Sequence, residues 1–301
     1  MKENMANILQ YRKSVSFAPN KLSIAVLLNI LIEKITHLIV TQKNSRVVPK
    51  TRKNLSLVTH LPENDPQIEQ WIRKICRNML FSYLELFRGL AGGQQKISEK
   101  IDVDRKELQF IYQVLSSGKG VILAGIHTCG FDHAIYALND YLPKIQILSK
   151  ANPSGGTKLM YLLRKLHNIL ITPLSVSALK KAVLRLRSGG LVAVAIDIPI
   201  DSSEGYKFFN QDAHLTDAHT RLAVKSGANI FLVYTRRTSS GRYQIKFQEV
   251  KQPENHQDKK VLISAWAQKS YQQVEYFILR WPEAWYGSTF DLFTQVNENA
   301  V

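Results

Sequence analysis

The sequence has 301 residues, 45% of them hydrophobic and 21% charged, and its 40 Lys and Arg against 24 Asp and Glu give a net charge of +16. This composition excludes a largely disordered or collagen-like chain, and two cysteines, Cys76 and Cys129, exclude a disulfide scaffold and favour a reducing compartment. Half of the charge, +8, falls in residues 1–60. We expect a surface that attracts polyanions, with a basic, partly helical N-terminal extension over 1–60 and one domain over 61–301.

The first apolar segment, 22–40, is interrupted by Glu33 and Lys34 and has no small-residue cleavage site. It is too short for a membrane span and does not have the pattern of a signal peptide. We therefore expect neither a transmembrane helix nor a signal peptide. Two interpretations stay open: an amphipathic helix lying on an anionic bilayer surface, or a helix of the protein core.

Capping residues and glycines bound the predicted helices, while short apolar runs mark the predicted strands. Asp65-Pro66, Asp104 and Ser175 are helix-start signals. In chain order the pattern predicts a helix from 65 to 87, a helix from 104 to 116, a strand over 121–126, a strand over 145–148, a helix over 157–167, a strand over 169–171, a helix from 175 to 187, a strand over 191–196, a polar loop over 199–213, a helix over 215–226, a strand over 229–234, an antiparallel strand over 242–250 and a closing helix from 258 to 279.

This alternation of strands and helices predicts an α/β fold, with a largely parallel sheet flanked by helices. Functional residues of such folds gather at the carboxyl ends of the strands. His127 follows the buried strand 121–126 directly, and Asp132 comes five residues later, beyond a turn that contains Gly130. His60 and Asp65 have the same spacing, but Pro62 interrupts them and they lie in a polar linker.

A helix turns residues five apart away from each other, so His127 and Asp132 can meet only across a strand-to-helix turn. There the carboxylate would hydrogen-bond one ring nitrogen, and the other nitrogen would accept a proton from a substrate hydroxyl. The spacing predicts such a general base. It is equally compatible with a histidine that only satisfies the turn.

The stretch from Gly120 to Asp132 resembles the H-x4-[DE] block of the glycerolipid acyltransferases. The chain as a whole is most similar to the late acyltransferases of lipid A biosynthesis, of the lauroyl and myristoyl transferase type. The resemblance covers about residues 120–290 in four ordered blocks. The second block contains the strand and acidic loop 193–201, with Asp197 and Asp201, followed by Phe208-Phe209 and Arg221-Leu222-Ala223. The third block is the strand from Gly227-Ala228 to Arg236-Arg237. The fourth block is the ending Trp281-Pro282-Glu283-Ala284-Trp285.

The resemblance implies transfer of a fatty acyl group to a hydroxyl of a membrane (glyco)lipid, at the cytoplasmic face of a membrane to which the protein binds peripherally. The donor would be acyl-CoA or acyl-carrier protein as co-substrate, with no further cofactor and no metal. His127 and Asp132 carry over as the catalytic pair. Asp197 carries over as a supporting carboxylate, with a capping role as the alternative. Arg221 would bind a phosphate, or would be an ordinary surface residue.

Three departures from the family pattern leave the acceptor open. They are Thr128-Cys129-Gly130-Phe131 after the histidine, the altered loop 197–201, and the ending 286–290 without a basic run. The altered loop also leaves open the alternative that the chain is a homologue that hydrolyses thioesters or only binds lipid.

Other functions and sites are less favoured. A nucleic-acid-binding protein would explain the charge, but the sequence has no motif for one and we expect no such partner. Cys129 as nucleophile and a phosphate-binding turn at 152–157 are disfavoured. Trp281 and Trp285 would line an acyl pocket or a membrane interface or, as we prefer, pack in the core.

Overall fold

The computed structural model describes residues 19–42, 47–93, 95–152, 155–166, 169–199, 205–254 and 258–293. The first 18 residues of the predicted basic extension lie outside these ranges, and so does Asp201 of the predicted acidic loop.

A seven-stranded sheet in the order β1-β9-β8-β2-β5-β3-β4 forms the centre of the fold. All neighbouring strands in it are parallel except β8 and β9, which pair antiparallel. A separate antiparallel hairpin contains β6 and β7. The strands are β1 Ile101–Val103, β2 Val121–Gly125, β3 Ile145–Ser149, β4 Leu170–Pro173, β5 Leu191–Ala195, β6 Tyr206–Phe208, β7 Gln211–Ala213, β8 Asn229–Arg237 and β9 Tyr243–Val250.

Helices surround this sheet, and several begin at the predicted caps. The side chains of Asp65, Asp104 and Asp258 each accept a hydrogen bond from a backbone N–H in the first turn of a helix. The helices are α1 Pro19–Thr41, α2 Val47–Thr59, α3 Pro66–Ala91, α4 Gln95–Ser98, α5 Arg105–Ser116, α6 Phe131–Tyr141, α7 Gly155–Leu166, α8 Val176–Arg187, α9 Ala218–Ser226 and α10 Lys259–Arg280, followed by the 3-10 turns Pro282–Ala284 and Tyr286–Thr289.

The alternation along β2 explains why its sequence is apolar throughout. Ile122 and Ala124 belong to one buried cluster, packed with residues of α8, α9 and α10. Val121 and Leu123 belong to a second cluster, packed with residues of α5 and α6. Both faces of the sheet are therefore covered, which confirms the predicted α/β architecture.

Some local predictions were wrong. The segment 199–213 was predicted as a loop, yet it contains the β6–β7 hairpin, whose three-residue strands are too short for a clear alternating pattern. The helix predicted over 215–226 begins only at Ala218. The short edge strand β1 was not predicted at all.

The helices before residue 60 contact the rest of the chain. Leu55 and Val58 of α2 are fully buried, and α2 packs against α3 and the turn Tyr286–Thr289. Helix α1 packs against α3. The boundary at residue 60 between an extension and a domain stays a prediction. Within the described ranges, no helix combines the length and the apolar character that a bilayer crossing requires.

Candidate active site

His127 lies in the turn between β2 and α6, as the sequence predicted. The turn is tight because Gly130 adopts a left-handed conformation with φ of 85° just before α6 begins. A Cβ atom at Gly130 would collide with the ring of Tyr243. The turn thus places His127 at the carboxyl end of β2 and Asp132 in the first turn of α6.

The partner of His127 is Asp197, which follows β5. The ring Nδ1 lies 2.7 Å from Oδ1 of Asp197, and the backbone N–H of His127 donates to Oδ2 at 2.8 Å. Strands β2 and β5 are neighbours with Gly125 opposite Ala195, so the residues just beyond their carboxyl ends meet. Asp197 is 1% exposed, and a buried carboxylate is stabilised by hydrogen bonds of this kind.

The predicted hydrogen bond between His127 and Asp132 is not formed. The Asp132 carboxylate instead pairs with Arg164 of α7, which donates from Nε at 3.1 Å and also from Nη2. Both side chains are 14% exposed. The physical reason is competition: Nδ1 is already taken by Asp197, while the guanidinium offers Asp132 two charged donors.

Electrostatics around His127 favour its protonated form. Burial acts to lower the pKa of His127, but Asp197, through its charge and its hydrogen bond, and Asp132, through its charge, outweigh burial and the opposing charge of Arg164. The net result is a raised pKa. The side chain is 26% exposed, and its Nε2 atom has no hydrogen-bond partner within the described residues. One ring nitrogen is therefore held, and the other is free to exchange a proton.

The segment after α10 forms hydrogen bonds that hold the turn of His127 and the side chain of Asp197 in place. The backbone N–H of Tyr286 donates to the His127 carbonyl at 2.7 Å, and the Cys129 N–H donates to the Ala284 carbonyl at 2.8 Å. The indole Nε1 of Trp285 donates to Oδ2 of Asp197 at 3.4 Å. Trp285 is fully buried, so the preferred core assignment is confirmed for this residue. Its contact with Asp197 was not predicted from the sequence.

A comparison with family models supports the resemblance drawn from the sequence. The chain matches the bacterial lipid A biosynthesis acyltransferase family over residues 21–286. The chain belongs to this family. The protein is therefore an acyltransferase with a lipid acceptor, and the matched span includes His127, Asp197, Asp132 and Arg164. Compared with curated proteins, the chain has no significant match.

Three other residues that the sequence analysis considered for this acyltransferase are not bonded to His127 or Asp197. Arg221 pairs with Asp217 one helical turn earlier, at 2.7 Å, and its side chain is 49% exposed. Its phosphate-binding role stays a prediction. Cys129 is fully buried, and burial raises the pKa of its thiol to about 12, so a thiolate nucleophile is disfavoured. The ring of Trp281 contacts the guanidinium groups of Arg236 and Arg280, at 4.7 and 4.8 Å from its centroid.

In the ranges that the structure describes, no three His, Cys, Asp or Glu residues lie together as the ligands of a metal ion would. Arg164 was also absent from the sequence prediction. Nothing in the spacing of α7 distinguishes Arg164 from the neighbouring basic residues, and only the position of α7 in the fold brings it to Asp132.

Proposed function

We propose that this acyltransferase moves a fatty acyl group from an acyl thioester to a hydroxyl of a membrane (glyco)lipid, with His127 as the general base. The proposal rests on the hydrogen bonding of the two ring nitrogens of His127. Nδ1 is bound to Asp197, whereas Nε2, on a ring that is 26% exposed, has no partner among the described residues. A base that is oriented on one side and open on the other is suited to activating a hydroxyl.

In the proposed reaction, the acceptor hydroxyl gives its proton to Nε2 while its oxygen attacks the thioester carbonyl carbon. The new C–O bond forms and the carbonyl electron pair moves onto oxygen, giving a tetrahedral oxyanion. Collapse of this intermediate breaks the C–S bond, and the leaving thiolate takes the proton from the imidazolium. Asp197 acts as a positioning residue, because it keeps the Nδ1–H tautomer and stabilises the imidazolium.

The Asp132–Arg164 pair belongs to the same proposal. Asp132 lies close enough to raise the pKa of His127, and Arg164 close enough to lower it. We assign Asp132 the role of holding Arg164, so that a fixed positive charge stands near the base. A preorganised positive charge stabilises the oxyanion more than the neutral thioester that precedes it.

Helix α1 supplies a surface for membrane docking at the cytoplasmic face. Among the side chains of α1 that the structure describes, residues 26–41, five apolar ones are exposed and share one side of the helix: Val26, Leu27, Ile30, Leu31 and Leu38. Residues 1–60 carry a net charge of +8. Exposed apolar groups in a segment of net positive charge suit the surface of an anionic bilayer, in which the proposed acceptor lies.

The decisive experiment is acyl transfer by the purified full-length protein into extracted membrane lipids, using labelled acyl-CoA in one arm and labelled acyl-carrier protein in the other. His127→Ala is compared with wild type and with His60→Asn, which changes an exposed histidine of the same H-x4-D spacing. We expect a labelled lipid from wild type and His60→Asn, and none from His127→Ala.

Other results would contradict parts of the proposal. Equal labelling by His127→Ala would remove His127 from the mechanism. Consumption of thioester with release of free fatty acid alone would indicate a hydrolase. The absence of any labelled product with both donors would overturn the proposed donor class.

A further inference from the structure

A pocket of about 320 Å³ lies between the end of α3, helix α4, the turn before β1, and α6. It is lined by Glu85, Arg88, Gly89, Lys96, Ile97, Lys100 and His133. None of these residues belongs to the proposed catalytic group. Three of the lining side chains are cationic and one is a carboxylate.

The negative charge of the one carboxylate in this pocket is already balanced by neighbouring groups. Glu85 accepts hydrogen bonds from the Tyr243 hydroxyl at 2.6 Å and from Lys100 at 3.1 Å, and it pairs with Arg237 at 3.3 Å. Arg88 and Lys96, by contrast, form no ion pair with any residue that the structure describes. The pocket therefore has two cations with no counter-charge at its mouth.

The floor of the pocket is a buried histidine without a polar partner. His133 is 1% exposed, and neither ring nitrogen has a hydrogen-bond partner in the described part of the chain. Its ring stacks on Tyr243 at a centroid distance of 4.2 Å. Buried polar atoms are nearly always hydrogen-bonded, so this imidazole is an exception, and an anion in the pocket would stabilise its protonated form.

We infer that this pocket binds a phosphate-type anion, held by Arg88 and Lys96 at the mouth and lying close to the buried imidazole of His133, whose protonated form it stabilises. Guanidinium and ammonium groups are the side chains that bind phosphate most strongly. The volume accommodates a phosphate monoester or diester. None of the residues that line the pocket takes part in the proposed acyl-transfer step, so the inference does not rest on that proposal.

The protonation of His133 gives the site a specific readout. Burial first of all lowers the pKa of His133, to about 4, although Glu85 and Asp132 act to raise it, and Lys100 and Arg237 reinforce the lowering. An anion bound against the ring favours the imidazolium and raises this pKa. A histidine buried only for packing on Tyr243 would show no such response.

The test is a titration of full-length protein, labelled at histidine and monitored by NMR, with inorganic phosphate and separately with a soluble short-chain phosphatidate. Sodium chloride at equal ionic strength controls for screening. The His133 resonance is identified by its loss in His133→Gln. We expect a saturable shift of this resonance and a higher His133 pKa with bound anion, and the same result in His127→Ala protein.

The variant for this test is Arg88→Gln with Lys96→Gln, and the matched control is Arg105→Gln with Lys119→Gln, which removes the same charge from exposed positions elsewhere. We expect the first pair to weaken binding by about tenfold or more and the second to leave it unchanged. Tighter binding of the phosphatidate than of phosphate would identify a lipid headgroup as the source. No shift with either probe, the same shift with chloride, or equal weakening by both pairs would overturn the inference.

Discussion

Oδ1 of Asp197 lies 2.7 Å from Nδ1 of His127, although 70 positions separate the two residues in the sequence. The contact forms because β2 and β5 run side by side and end at the same edge of the sheet. The same carboxylate also accepts the His127 backbone N–H and the Trp285 indole N–H. The orientation of the proposed base is thus determined by the sheet and by the C-terminal segment together.

Asp197→Asn tests this relationship through the pH profile. The proposed base works when neutral, so wild-type kcat/KM should fall as the pH drops through the raised pKa of His127. Removing the charge of Asp197 lowers that pKa, so the acid limb should move to lower pH. The plateau should also fall by about 10²- to 10⁴-fold, because the tautomer and the imidazolium lose their support.

The measurement is kcat/KM for acyl transfer across the acid limb, with thermal unfolding as the check that the variant is folded. A variant with a lowered plateau but an unmoved acid limb would show that Asp197 does not tune His127.

Asp132 and Arg164 should behave as one unit. Loss of either partner leaves a largely buried charge without its counter-charge, which costs about 2 kcal/mol of unfolding free energy. We expect Asp132→Asn and Arg164→Gln to lower kcat/KM by similar factors and the double variant to be no worse than either. In Asp132→Asn the His127–Asp197 hydrogen bond remains, so a residual activity above that of His127→Ala is expected.

The check for this pair is a double-mutant cycle with both urea unfolding and acyl-transfer rates. Additive losses in both measurements would contradict the coupling. Intact activity in Arg164→Gln would remove the guanidinium from the proposed stabilisation of the oxyanion.

Local signals in the sequence predicted the framework of the site well. The apolar run of β2 and the glycine after it placed His127 in a strand-to-helix turn, and the caps at Asp65 and Asp104 located two helix starts. These features depend only on neighbouring residues. The order of strands in the sheet does not, and it is the adjacency of β2 and β5 that makes Asp197 the partner of His127.

The prediction that Asp132 is the hydrogen-bond partner of His127 was wrong for the same reason. The spacing to Asp132 describes positions along one segment, whereas hydrogen bonding is decided by competition among all nearby groups. Arg164 and Trp285 come from distant segments, and no local pattern marks their contacts with the two carboxylates. The family resemblance named Asp197 as a second carboxylate but gave no distance to the ring.

Gly287→Ala should disturb the Asp197 carboxylate directly. A Cβ atom at Gly287 would overlap both Oδ2 of Asp197 and Nε1 of Trp285, neither of which is at the end of a flexible chain. We expect a loss of about 1–3 kcal/mol of unfolding free energy and a lower kcat/KM. The matched control is Gly156→Ala in α7, where the space around the Cβ is open, and a gain of about 0.4–1 kcal/mol is expected there.

Both glycine variants are compared by urea unfolding and by acyl transfer. Wild-type activity in Gly287→Ala would show that the carboxylate can move without consequence.

The exposed face of α1 should determine membrane binding. Leu27 and Leu31 are 63% and 51% exposed, and burying one leucine side chain in a bilayer contributes about 1.5–3 kcal/mol. Leu27→Asp with Leu31→Asp should therefore weaken binding to anionic vesicles by more than about tenfold. Leu184→Asp, at a position in α8 that is 64% exposed, is the control and should bind as wild type.

Vesicle flotation with anionic and with neutral lipid measures this effect. Equal recovery of wild type and the α1 variant with anionic vesicles would contradict docking through α1.

Thr235 should hold the turn that carries His127. Its hydroxyl donates to the Cys129 carbonyl at 2.6 Å, its N–H donates to Thr128 Oγ1 at 2.9 Å, and the two threonine hydroxyls lie 2.9 Å apart. Thr235→Val keeps the shape but leaves the Cys129 carbonyl without this donor, so we expect a loss of about 1–3 kcal/mol. A displaced His127 should lower kcat/KM by up to about 10²-fold. Thr235→Ser retains the hydroxyl and should recover most of both quantities, whereas equal losses in the serine and valine variants would assign the effect to packing of the methyl group.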